Sequence, residues 1–407
     1  MPMNEDKLAD LVLRIARIGR EHPQRPPLQQ VAPFRFYFAE GGVLNRTLLD
    51  ERDGCCAPRE VLTRFLLLMA VLDQGPDIPG LRQMLIQVTN ALYAKEVRFL
   101  HRPADFFREI GLAVDEIIRS HDSIKSIRAE DWARENRSTP SRYNLFKYDR
   151  NQTKALHYAV ARWGVPLLLP LFLEQDPGFA FGFPREDNPT LLLDYLESWP
   201  SAERMSRRLK DHKRYGLGKA IGDKATHLFT KWVVETFRLS RRTDKGWSPF
   251  SYEVPYDSNA GRVLWRTGYI LHWLDEQTLR DTEVIQPGKG KGNTHYLRVT
   301  NLRNIAIPLK EYKPEQWTLY IDLTKEYFKG GHPQKAQFQR LQHLYLLEHT
   351  QNHPDDPLTV AHFDDGLVYV GTRFCFNHDQ PNCAACPLKA HCLGYQQRPD
   401  LIADYRT

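Results

Sequence analysis

The stretch GTRFCFNHDQPNCAACPLKAHC, residues 371–392, carries Cys375, Cys383, Cys386 and Cys392 within eighteen residues, and only Cys55 and Cys56 lie elsewhere. The C-x7-C-x2-C-x5-C spacing concentrates thiols where four ligands can reach one metal centre. Soft thiolate ligands suit both an iron–sulfur cluster and a zinc ion. Structural zinc more often uses two short Cys-x2-Cys knuckles far apart, and this chain has one. The compact run therefore favours a cubane cluster over zinc. Unrelated buried cysteines are the plainer alternative, but such residues scatter through a core rather than gather in one loop.

Working outward, the 407 residues suffice for two or three domains with sizeable cores. No apolar run reaches the roughly 18–20 residues that span a bilayer. The amino-terminal MPMNEDKLADLVLRIARIGREH reads as an amphipathic helix and lacks the pattern of a signal peptide. Six cysteines, four set aside for metal, fit a reducing compartment and so a cytoplasmic protein. The net charge of +6 is mildly basic. Its distribution says more than its sum. From Arg204 to Lys245 basic residues outnumber acidic ones by more than two to one. Phosphate neutralisation needs such clustering, although a solvated helix face has it too.

Helical periodicity dominates. Residues 58–72, PREVLTRFLLLMAVL, form a strongly apolar helix with Pro58 near its start and a stop at Gly75-Pro76. Further helical patterns cover 80–98, 104–120, 152–174, 190–198 and 202–213. Residues 286–294, QPGKGKGNT, read as a flexible basic loop.

Two internal stretches carry chemistry. In RYGLGKAIGDKATHLFTKWVVETF, residues 214–237, a glycine-rich turn precedes a helix whose stripe is Ala225, Leu228, Phe229, Trp232 and Val233. Glycines ahead of a helix let its first N–H groups approach a phosphate. Lys224 falls in the first turn, where the helix dipole disfavours a cation and so favours an amine nucleophile. Taken alone it reads better as a surface lysine. In VPYDSNAGRVLWRTGYI, residues 254–270, Asp257 opens a second amphipathic segment. Taken alone it is a helix N-cap.

Together these blocks resemble the helix–hairpin–helix DNA glycosylases that carry an iron–sulfur cluster, the endonuclease III and adenine-glycosylase group. AIGDKAT is similar to the family's G-V-G-x-K-T-A hairpin, with Gly222 on its second glycine and Lys224 on its nucleophilic lysine. PYDSNAGRVLWR matches V-D-x-x-x-x-R-V-x-x-R through Asp257, Arg262, Val263 and Arg266. GTRFC, CAACPL and Cys392 match the closing cluster pattern, and VLDQGPD puts Gln74 where the family has a glutamine at the DNA interface. The likeness runs from about residue 58 to 395. Departures are Ala220 in place of the first hairpin glycine, a longer gap between Lys224 and Asp257, one extra residue in the first cysteine gap, and extra residues before the cluster.

The resemblance implies a mainly α, two-lobed helix–hairpin–helix fold with a C-terminal [4Fe-4S] cluster loop. Residues 1–57 become an N-terminal extension packing with the cluster lobe. Residues 58–275 form a helical barrel, 276–360 an insertion, and 361–407 the cluster domain. Lys224 and Asp257 are the implied catalytic pair. Gln74, Gly216, Gly218, Gly222 and Arg262 are the implied DNA contacts, and Cys375, Cys383, Cys386 and Cys392 the cluster ligands. The implied partner is double-stranded DNA with a damaged or modified base, bound by a monomer with no membrane attachment. The implied reaction is base excision through a lysine Schiff base, followed by lyase cleavage. A non-catalytic iron–sulfur DNA-binding protein is the alternative.

Overall fold

A computed structural model describes residues 5–38, 44–50, 57–73, 78–109, 111, 113–115, 165–175, 191–211, 223–247, 254–255, 258–269, 286–289, 295–298, 317–319, 334–375 and 382–396. These are mainly helical: α1 Glu5–Glu21, α2 Arg46–Asp50, α3 Pro58–Leu72, α4 Ile78–Ala94, α5 Pro103–Glu109, α6 Val165–Gln175, α7 Leu192–Glu197, α8 Ala202–Asp211, α9 Asp223–Phe237, α10 Ser258–Arg266, α11 Gln334–Asn352, α12 Val360–Arg373 and α13 Leu393–Gln396. Three short strands, β1 Gln286–Lys289, β2 His295–Arg298 and β3 Trp317–Leu319, make one sheet in that order. Among the described residues, no helix is long and apolar enough to cross a membrane.

The chain divides into two compact units, one of residues 25–249 and one joining residues 1–24 to 250–407. Residues 25–57 therefore belong with the α3 unit and α10 with the chain ends, whereas the sequence had drawn the boundaries at 57/58 and 275/276.

The 25–249 unit is built around α3. Pro58 is its first residue, and every residue but Arg59 is buried. A helix apolar on all sides must be enclosed, and α2, α4, α6, α7 and α9 pack against it. One charge network crosses this apolar interior. Arg64 donates from Nε to Glu60 at 2.7 Å and from Nη1 to the carbonyls of Leu100 and His101 at 3.1 and 3.0 Å, and it pairs with Glu174 at 2.5 Å. Glu60 in turn accepts the Leu192 and Leu193 amides, both at 2.8 Å. A buried carboxylate thus caps the start of α7, where exposed N–H groups and the dipole favour an anion. Two expected helices are shorter than their patterns. One stops at Ala94, before Glu96 takes a left-handed backbone. The other stops at Glu109, before Gly111 at φ +76°. A left-handed residue after a helix ends its hydrogen-bond ladder.

In the other unit, α1 buries Leu8, Leu11, Val12, Ile15, Ala16, Ile18 and Gly19, one helical stripe. It crosses α12 almost backbone to backbone. A Cβ added to Gly19 would fall 1.8 Å from the His362 carbonyl oxygen, and one on Gly366 would fall 2.0 Å from that of Ile15. α12 starts at a capping box, in which Thr359 Oγ1 accepts the His362 amide and His362 Nδ1 accepts the Thr359 amide, both at 3.3 Å. α10 and α11 complete the core through Val263, Leu264 and Leu346. α11 is therefore structural, although it falls inside the expected 276–360 insertion. The first four residues of the expected 286–294 loop are instead a strand: Gln286–Lys289 pairs antiparallel with His295–Arg298, Gln286 opposite Arg298, and 290–294 lie outside the described residues. Glycine and lysine mask strand patterning, because they carry no alternation of apolar and polar faces.

Candidate metal centre and hairpin helix

Backbone hydrogen bonds tie down the cysteine loop near each of its four cysteines. Cys375 leaves the end of α12 with its amide on the Val370 carbonyl at 2.9 Å. The Asn382 amide returns to the Phe374 carbonyl at 2.9 Å, closing the seven-residue gap that precedes Cys383. The Cys386 amide bonds the Cys383 carbonyl at 3.1 Å, and the Lys389 amide bonds that of Cys386 at 3.1 Å. Leu388, 1% exposed, anchors this knuckle in the unit's core. Beyond Cys392, the Leu393 amide reaches the Thr267 carbonyl at 3.3 Å. There Gly268 has φ +83°, and an added Cβ would sit 2.8 Å from the Leu393 side chain. Only glycine meets both demands at once.

Arg266 joins the loop to α10. Its Nη1 donates to Cys375 Sγ at 3.2 Å, and its carbonyl accepts Cys392 Sγ–H at 3.2 Å. At 7% exposure its guanidinium is largely removed from water. The motif match included Arg266 but assigned it no contact. Its three-residue step beyond Val263 on an amphipathic helix was the available signal, because it places both residues on one face.

The donor set fits a metal centre of thiolate type. Burial first, and then the charges of the neighbouring cysteines, push the Cys386 thiol up to about 11 and the Cys392 thiol up to about 12. Among the described residues, however, no three His, Cys, Asp or Glu groups stand at metal-holding spacing. The sulfur chemistry of the loop, with its four cysteines, is what suits such a centre. Four cysteines would hold the group: Cys375, Cys383, Cys386 and Cys392.

Lys224 is the second residue of α9 and is half-buried. Asp223 opens that helix, and Ala225, Leu228, Phe229, Trp232 and Val233 bury its stripe in the core. α8 packs on α9, so the two helices flanking the expected hairpin meet directly. The hairpin glycines Gly216, Gly218 and Gly222 lie outside the described residues, as do Gln74 and Asp257. Their neighbours are placed. Asp73 binds Arg82 at 2.7 Å, and the Arg82 guanidinium lies 5.5 Å from the Trp232 ring centre on α9. The segment leading to Gln74 is thereby fastened to the helix that carries Lys224. α10 begins at Ser258, directly after Asp257, and Arg262 lies within it, its backbone alone being described. The chain matches no family model, no curated protein and no solved structure.

Proposed function

We propose that this protein is a DNA glycosylase with lyase activity, acting on a damaged or modified base in double-stranded DNA, and that its helices form the two-lobed helix–hairpin–helix fold. One observation carries the reading. The last arginine of the aspartate motif, Arg266, is hydrogen-bonded to Cys375, 109 residues away in the chain, so two blocks that resemble one family separately serve one local structure.

A base inside a duplex is reached only after its nucleotide is extruded, at a cost of a few kcal/mol. The amides around Gly216, Gly218 and Gly222, with Arg262, hold the flanking phosphates and offset that cost. Gln74 fills the vacated stack. The Lys224 amine forms a bond to C1′ while the N-glycosidic bond breaks, and the base leaves with the bonding electrons and takes up a proton. Opening of the sugar ring gives a Schiff base. Loss of a C2′ proton expels the 3′ phosphate, and water then returns the free amine. Asp257 offsets the positive charge that develops on the sugar and carries protons. A [4Fe-4S] group, when bound, supplies a rigid tie among four points of the loop.

Borohydride trapping on a duplex with one abasic site tests the reading without knowledge of the target base. A covalent adduct is expected with the unaltered chain and none with Lys224→Gln. Absence of an adduct from both, with DNA binding retained, favours a non-catalytic DNA-binding protein.

A further inference from the structure

Two basic runs about thirty residues apart converge on the end of α7. Arg242 Nη1 binds both carboxylate oxygens of Glu197 at 3.2 Å, and Arg59 Nη2 binds one of them at 2.9 Å. Two residues on, Trp199 lies under the Arg208 guanidinium at 4.7 Å. The α8 run, through Trp199, and the 238–245 run, through Glu197, therefore anchor two residues apart at the end of α7. Around this anchor Arg204, Arg207, Arg208, Arg238, Arg241 and Lys245 are exposed, and among the described side chains of the two runs Asp244 is the one exposed acid. The guanidinium of Arg59 also lies 5.2 Å from the Phe237 ring centre, fixing the turn out of α9 from below. Arg238 takes a left-handed backbone at φ 51°, which turns the chain sharply so that Arg241 and Lys245 follow on the surface.

This surface is not the hairpin. Lys224 and Arg238 bracket α9, and fourteen helical residues at 1.5 Å each separate them by roughly 21 Å. At 3.4 Å per base pair that is about six base pairs of duplex. We propose that this arginine face is a second phosphate-binding surface that grips the duplex backbone about six base pairs from the extruded nucleotide. The inference rests on the glycosylase reading for the position of Lys224 and on charge complementarity for its ligand. Cations fixed at the far end of a rigid helix hold the duplex in register without reading its sequence, because phosphate contacts position and carry no base information.

The test uses the full chain, titrated by anisotropy across a range of salt. One abasic duplex extends about 12 base pairs to either side and another about 4, so that only the longer one covers the proposed span at 3.4 Å per pair. For R238Q/R241Q/K245Q on the long duplex, the slope of log affinity against log salt should shrink by about 2.7, or 0.9 per lost phosphate contact. On the short duplex its slope and its borohydride adduct should match the unaltered chain. An independent pair on the other run, R204Q/R207Q, should shrink the long-duplex slope by about 1.8. An unchanged slope with either variant on the long duplex overturns the surface. So does an equal loss by the triple variant on both lengths, which would mark a general effect of charge. An unaltered chain that forms no adduct but shows these slope changes removes the catalytic reading and leaves the surface standing. A chain without salt-dependent DNA binding removes both.

Discussion

Replacing Arg64 by methionine isolates what the charge network inside the 25–249 unit contributes. Arg64 is 1% exposed and satisfies Glu60, Glu174 and the carbonyls of Leu100 and His101. Methionine fills much of the volume but leaves two carboxylates without their cation. Breaking a buried pair from one side costs about 3–5 kcal/mol, or roughly two to four powers of ten in the opening equilibrium. Hydrogen–deuterium exchange on peptides spanning 58–72 reads that equilibrium locally, which matters in a chain of two units. The sign of the pH dependence follows from Glu174. Burial holds its carboxyl above the ordinary value of 4.5, against the downward pull of Arg64. A raised folded value means that the group's favourable contribution is present below 4.5 and is lost as pH rises through the folded value. Removing the arginine raises Glu174 further, so Arg64→Met should be penalised less near pH 5 than near pH 8. Adding Glu60→Gln should recover about 0.5–3 kcal/mol relative to the sum of the single changes, because neighbours in one network couple. A loss under about 1 kcal/mol, below the range for a buried pair, would refute the network's role, as would a penalty equal at both pH values or strict additivity.

Other expectations follow from the second unit. Gly366→Ala puts a methyl group 2.0 Å from the Ile15 carbonyl and must part α1 from α12; thermal melting should fall by the equivalent of about 1–3 kcal/mol or more, and an unchanged melt would deny the close crossing. Thr359→Ala removes the hydroxyl that accepts the His362 amide and should cost about 1 kcal/mol, read from the same melts. Anaerobically purified chain should carry about four iron and four sulfide, both lost with Cys386→Ser; a single zinc in their place would refute the cubane assignment.

Local chemistry wrote much of this molecule into its sequence. The enclosed α3 was legible because its apolar residues leave no polar face, and Pro58 marks its first turn. The start of α9 was legible because an apolar stripe at helical spacing begins directly after a glycine-rich run of sequence, which sets Lys224 in the first turn. The four-cysteine run was legible because thiol spacing is a property of the chain itself. What depended on distant partners was not legible. Arg266 meets Cys375 only because α10 packs on α12, and Gly371 permits that approach: an added Cβ there would come 2.8 Å from Asn259. The convergence of the two basic runs on Glu197 and Trp199 likewise depends on α7, α8 and the turn after α9 folding together. Residues 286–289 became a strand because 295–298 supplied its hydrogen bonds. Periodicity and spacing report the neighbours a residue has along its own helix or loop, whereas pairing across the fold depends on which elements come into contact, and only the tertiary structure decides that.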